Sequence, residues 1–235
     1  MWNWREEAYF FEDFIVGNAN KNAYDMVHKF MNPSCDFNLL FLTGNVGSGK
    51  TYLAKAVETE LMAQNKSVKM LNSDQFLGDL IWYLGRNIEN HGIEVFSREY
   101  EKYNVLIFED LQFLEGKEAT QKYFAYLLSR FVMKQKKVLI TSVKELSEYK
   151  WLQEALNKNE VQIQNVQIQD ADVELKKNIL ESLEKKWGYQ LSAKSKNMIV
   201  ENEKNLRQLE GMFKKMMAYA QLMGVECIEQ NKRKV

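Results

Sequence analysis

The sequence predicts an α/β fold: five parallel strands with helices on both faces of the sheet, followed by a small all-helical domain. Three observations point there. Short apolar runs alternate with helix-period segments over residues 1–168, and that alternation is the signature of a parallel sheet with crossover helices. A glycine-rich loop joins the first apolar run directly to a helix. Residues 169–223 show helical periodicity and no strand pattern. The expected boundaries are therefore 1–168 for the α/β domain, 169–223 for the helical domain and 224–235 for a tail.

Each element has its own signal. Ala23, Met26, Val27 and Phe30 recur at helix spacing, and Pro33, the only proline, closes that helix. Residues 37–44 form a short apolar run ending in glycine, a buried strand. A helix from Lys50 to about Asn65 presents Leu53, Ala54, Val57 and Leu61. A second strand covers 67–71, and Ser73 is expected to N-cap the helix carrying Phe76, Leu77, Leu80 and Ile81. The third strand, 104–110, ends in two acids. A long amphipathic helix over 117–133 leads to a fourth strand at 136–142. Residues 161–168 alternate strictly, a fifth strand suited to a sheet edge, and Asp170 is expected to cap the helix after it.

Composition excludes several classes. With 46% hydrophobic and 27% charged residues the chain is globular, not disordered. Thirty-two basic residues balance 32 acidic ones, so a protein that coats polyanions over its whole surface is excluded, while a local basic groove is not. Only six residues are arginine, which makes each position informative. Cys35 and Cys227, like His28 and His91, are isolated, so neither a zinc site nor a disulfide framework is expected. Residues 1–11 carry Glu6 and Glu7 and lack the apolar core of a signal peptide. No apolar run approaches the ~18 residues that would span a bilayer. A soluble, cytoplasmic protein is expected.

The sharpest motif is Gly44-Asn45-Val46-Gly47-Ser48-Gly49-Lys50-Thr51, a full GxxxxGK[ST] with a strand before it and a helix after it. Its glycines let backbone N–H groups turn inward around phosphates, and the helix N-terminus adds partial positive charge. Lys50 is expected to reach the β- and γ-phosphates and Thr51 to ligate Mg²⁺. Glu109 and Asp110, at the C-terminal end of the third strand, face the crevice where open α/β sheets bind ligands.

With these residues in hand, the chain resembles the AAA+ P-loop NTPase domain of the bacterial replication initiator DnaA family over roughly residues 10–222. FEDFIVGNANKNAYDMV is similar to the family's opening segment, LTGNVGSGKTYLAKAV to its Walker A region and VLIFEDLQFLEGKEATQKYFAYL to its Walker B region. VLITSVKEL resembles the sensor-1 strand and ENEKNLRQLEGMFKKMMAYA the sensor-2 helix of the lid domain. The resemblance implies ATP/ADP and Mg²⁺ as cofactors. It places Val16 and Gly17 at the adenine, and Asn45, Val46, Gly47, Ser48, Gly49, Lys50, Thr51 and Tyr52 around the phosphates. It makes Arg207 the sensor-2 arginine, Asp110 the water-orienting acid, and Glu109 with Thr51 the metal ligands.

Four departures temper the implied catalysis. Glu109 stands where the family has aspartate, and Mg²⁺ demands tight octahedral geometry. Val143 replaces the sensor-1 aspartate, leaving Thr141 and Ser142. No arginine lies between Arg130 and Arg207, so the arginine-finger segment reads ALNKNEV, with Lys158 its only cation. The match ends at the lid, so sequence-specific duplex DNA binding is not expected. In the GKEAT segment Lys117 keeps one of two cations that the family uses on single-stranded DNA, and Ala119 replaces the other; weak single-strand binding is implied.

The expected function is that of an ATP-binding, DnaA-like or Hda-like regulator of chromosomal replication initiation. It would contact the initiator or another AAA+ protomer through AAA+ surfaces, with slow or partner-dependent ATPase activity. The alternatives are a helicase loader of the DnaC or DnaI kind, with the replicative helicase as partner, and a nucleotide-gated interaction module with no DNA role. Trp2, Trp4, Tyr9, Phe10 and Phe11 form an aromatic cluster that would either anchor a partner or fold back onto the domain.

Overall fold

The computed structural model describes residues 9–86, 92–157, 161 and 163–223. Five parallel strands form one sheet: β1 (Leu39–Gly44), β2 (Val68–Asn72), β3 (Val105–Glu109), β4 (Lys137–Ser142) and β5 (Ile163–Ile168), in the spatial order β2-β3-β4-β1-β5. Each parallel step needs a crossover, and these are supplied by α2 (Lys50–Ala63), α3 (Ser73–Arg86), α4 (Gly92–Tyr100), α5 (Glu118–Met133) and α6 (Lys150–Asn157), with α1 (Lys21–Met31) preceding β1. The strictly alternating fifth segment is indeed the last strand of the sheet.

Strand periodicity divides the core into two layers. Leu39 and Phe41, Leu106 and Phe108, and Val138 and Ile140 pack with α3–α6. Their neighbours Leu40, Leu42, Val105, Ile107 and Leu139 pack with α1 and α2. Phe76 sits at the centre of the first layer, with edge-to-face contacts to Phe96, Tyr100, Phe108 and Phe124. At the N-terminus Phe11 is buried against Tyr24 and His28 while Phe10 stays exposed, so part of the aromatic cluster folds back. Trp2, Trp4, His91, Lys158 and Cys227 lie outside the described residues.

The N-terminal end of the sheet is closed by ion pairs and capped carbonyls. Glu101, its side chain only 7% exposed, receives bonds from Arg130 and Lys134. Burial alone would raise its pKa, but the two cations outweigh that and hold it below the ordinary carboxylate value. Two neighbouring lysines cap helix ends on opposite faces. The Lys136 ammonium donates to the Glu101 and Tyr103 carbonyls after α4, and that of Lys137 to the Phe30 and Asn32 carbonyls at the end of α1.

Contacts divide the chain into two compact units. The first holds Asn22–Gly44 and Lys50–Ile168; the second holds Ile15–Lys21, Asn45–Gly49 and the chain from Gln169 onward. In the second, α7 (Val173–Trp187), α8 (Ala193–Asn202) and α9 (Leu206–Met223) bury their own core of Leu180, Ile199, Leu209, Phe213 and Met217.

Two expected caps are corrected. Asn72, not Ser73, caps α3: its Oδ1 accepts from the N–H groups of Asp74 and Gln75, and Gln75 Oε1 accepts from Asn72 N–H. Ser73 Oγ is buried without a partner. Likewise Asp172 caps α7 through Leu175 N–H at 2.7 Å, not Asp170. In both cases the capping side chain accepts from the N–H three residues on, that of Gln75 for Asn72 and of Leu175 for Asp172. Among the described residues no helix is long and apolar enough to cross a membrane.

Candidate phosphate-binding site

In the first unit the C-terminal tips of β1, β3 and β4 carry the expected side chains. The register pairs Thr43 with Ser142 and Phe108 with Ile140, so Gly44, Glu109, Asp110 and Thr141 share one edge of the sheet. Lys50 opens α2 and is 6% exposed; its Nζ donates to the Gly44 carbonyl at 2.7 Å. Desolvation pushes its pKa down, and the Asp110 carboxylate opposes that shift. Glu109 is desolvated too, which raises its pKa, while a hydrogen bond from Thr51 pulls the other way. Its Oε1 is buried with no hydrogen-bond partner. The Tyr52 hydroxyl donates to the Phe10 carbonyl at 3.1 Å, and its ring meets Tyr9 and Phe14.

Asp110 has left-handed backbone, φ 56 and ψ 56. Its N–H donates to Thr141 Oγ1 at 3.0 Å. Ser142 Oγ is bonded to Tyr149 Oη at 2.7 Å and accepts from Lys144 N–H at 2.9 Å. The hydroxyls of Thr141 and Ser142 are thus occupied in fixing the strand tips, and Val143 adds no polar side chain.

In the second unit Asn45–Gly49 lie with residues of the C-terminal helices. Gly47 has φ +75, and a Cβ there would stand 2.7 Å from Asn205 Oδ1 and 3.1 Å from Arg207 Cβ, so only glycine fits. Arg207 is thereby placed in the first turn of α9, beside the loop. Asn45 Nδ2 donates to both carboxylate oxygens of Asp170, at 2.8 and 3.0 Å. Ser48 Oγ is buried without a partner, and Val46 is exposed. Val16 is exposed, and Gly17 donates its N–H to Asn20 Oδ1 at 2.8 Å with its α-carbon close to Leu175.

The family model of the bacterial DnaA ATPase domain matches residues 5–167, well over half of the chain. The chain belongs to the bacterial DnaA ATPase-domain family. The chromosomal replication initiator protein DnaA of Wolinella succinogenes is 30% identical over 221 residues, covering 93% of this chain and 50% of the relative. The chain thus spans about half the length of the curated relatives it matches. Domain III of the Thermotoga maritima replication initiation protein DnaA superposes with TM-score 0.81 at 27% identity, over 93% of this chain and 91% of that one. A DnaA replication initiator bound to AMPPCP and single-stranded DNA gives TM-score 0.77 at 26% identity, over 96% and 68%. The fold of this DnaA-type domain is therefore the AAA+ one.

Some residues of this DnaA-type domain escaped the sequence reading. The Gln112–Val143 bond and the Asn45–Asp170 pair carry no short-range signal, because each joins residues far apart in the chain. Lys117 immediately precedes α5, its Nζ 4.0 Å from Asp74 Oδ1. Near it an open depression of about 480 Å³ is lined by Ile93, Glu118, Ala119, Lys122, Tyr123 and Tyr126.

Proposed function

We propose that this DnaA-type domain binds ATP at the 44–51 loop, hydrolyses it slowly, and regulates replication initiation through contacts with the initiator or another AAA+ protomer. The observation that carries the reading is the buried group at the tips of β1 and β3: a desolvated lysine on the loop carbonyl, and a buried glutamate bonded to Thr51 with one oxygen unpartnered. A buried lysine whose pKa is lowered gains from an anionic ligand, and the unpartnered oxygen gains from a cation. The donor set fits Mg²⁺, a hard ion that takes oxygen ligands; Thr51 and Glu109 would hold it. When bound, Mg²⁺ neutralises charge on the β- and γ-phosphates.

Each residue then has a task. Loop N–H groups bind phosphate oxygens, Lys50 adds a point charge, and Asp110 orients water. Arg207, a permanently charged planar group on the first turn of α9, serves the γ-phosphate. Val16 and Gly17 line the base, and Tyr52 holds the preceding segment through Phe10. Slow turnover follows from the longer Glu109 and the apolar Val143. The single-strand contact of the AMPPCP-bound relative transfers to this chain through Lys117, weakened because Ala119 supplies no second cation.

The test is equilibrium ATP binding by wild type and Lys50→Ala, then hydrolysis alone and with the cognate initiator. Tight, Lys50-dependent binding with an initiator-dependent change in hydrolysis is the expected result. Absence of ATP binding refutes the reading. Brisk turnover by the isolated chain refutes the slow-ATPase part alone.

A further inference from the structure

We propose that Gln112 is a positioning residue for hydrolysis: its side-chain amide holds the Asp110 carboxylate and the Val143 N–H in one frame. The assignment rests on the ATPase reading above and deepens it.

The backbone of Asp110 is fixed by its bond to Thr141 and by its left-handed conformation, which a non-glycine residue keeps only when its surroundings enforce it. That fixes the main chain but not the carboxylate, which still rotates about its side-chain bonds. Gln112 removes this freedom. It lies two residues on, in the 3-10 turn Leu111–Leu114, and its Nε2 donates to Asp110 Oδ1 at 3.0 Å. The other end of the same amide, Oε1, accepts from Val143 N–H at 3.3 Å. Donor and acceptor needs fix the orientation of the amide: only its nitrogen can serve the carboxylate, and only its oxygen the N–H. The tip of β3 and the chain just after β4 are thus joined through one side chain. At that second point Val143 has no polar side chain, and its N–H is held by the Gln112 amide.

The same two segments carry a second, outer clip. Lys144 Nζ reaches both carboxylate oxygens of Glu115 at 2.7 Å. This clip does not touch Asp110. The turn therefore keeps its place when the Gln112 amide is removed, while the carboxylate loses its restraint.

In the step concerned, the water oxygen bonds to the γ-phosphorus. The bond to the bridging oxygen breaks with its electron pair going to ADP, and a water proton passes to the Asp110 carboxylate before release to solvent. A carboxylate free to rotate spends less time aligned with that water, which lowers the rate without changing phosphate binding.

The experiment uses the full chain with Mg²⁺, with and without the cognate initiator. ATP affinity is measured at equilibrium and hydrolysis in single turnover, for wild type, Gln112→Ala, Gln112→Glu and Glu115→Gln. Gln112→Glu keeps the acceptor for Val143 but replaces the donor with a second carboxylate, so it isolates the bond to Asp110. Both Gln112 variants are expected to lower kcat by about tenfold or more, with the Kd for ATP changed by less than about twofold. Melting temperature should stay near wild type, and Glu115→Gln should leave kcat unchanged. Unchanged kcat in the Gln112 variants overturns the assignment, as does a parallel loss of affinity. A wild type that binds ATP through Lys50 yet never turns it over also overturns it, leaving the binding reading intact. A wild type that fails to bind ATP defeats the proposed function itself.

Discussion

The two ends of the sheet treat their charges in opposite ways. At the N-terminal end every conspicuous charge is answered: Glu101 by Arg130 and Lys134, and the ammoniums of Lys136 and Lys137 by helix-end carbonyls. At the C-terminal end Lys50 also has a carbonyl, that of Gly44, but Glu109 is buried with one oxygen unpartnered, and Asp110 has left-handed backbone. Both ends belong to the same strands and the same core. The difference teaches where the fold gains stability and where it gives some up. Polar groups that satisfy one another stabilise the N-terminal end, while the unpartnered Glu109 oxygen at the C-terminal end costs stability.

Substitutions at the two ends should therefore separate stability from binding. The largest effect is expected for Lys50→Ala, which should weaken ATP binding by about a hundredfold, with little change in denaturant midpoint, as read by calorimetric titration and urea unfolding. Next, Glu101→Ala should do the reverse. It strands Arg130 and Lys134 and costs about 1–3 kcal/mol of stability, a figure discounted because both cations are partly solvent-exposed. ATP affinity should be unaffected.

The Glu101 pair also predicts a pH dependence. Its folded pKa is depressed, so its contribution is fully present above the unfolded value and is lost as pH falls through the folded one. Urea unfolding of wild type should weaken across that acidic window, and Glu101→Gln should flatten that part of the profile. A smaller effect of opposite sign is expected for Glu109→Gln. Removing a desolvated charge should raise the stability of the nucleotide-free chain by about 0.5–1 kcal/mol while Mg²⁺-dependent hydrolysis falls. An unchanged or lower stability would mean that Thr51 fully compensates the carboxylate.

The smallest effect concerns the corrected cap. Asn72→Ala should cost about 1 kcal/mol in urea unfolding. Ser73→Ala should cost almost nothing, since its hydroxyl bonds nothing. Equal costs would restore Ser73 as the cap.

The same contrast governs how much was legible in the sequence. The strands that surround the site were readable because their apolar runs are unbroken and flanked by glycine or acids, as in 37–44 and 104–110. The phosphate loop was readable because its function requires fixed residues at fixed spacing. Caps were misread by one or two positions. Asn72 and Ser73, and Asp170 and Asp172, are equally good capping residues, and only packing of the following helix chooses between them. The third kind of information, carried by contacts such as Gln112 with Val143 or Glu101 with Arg130, joins residues about thirty positions apart and leaves no periodic trace. The roles of Val16, Gly17 and Arg207 came from the family resemblance; periodicity alone would not have singled them out.

Lys136 and Lys137 have a consequence for chemical reactivity. Burial lowers the pKa of both amines, so a larger share of each is in the nucleophilic, uncharged form than for an ordinary surface lysine. Each is nevertheless engaged by carbonyls at the end of a different helix, on a different face of the sheet. Acylation of one therefore requires release of its own helix end, and the two side chains, adjacent in the chain, become independent clocks for the opening of the two helical layers.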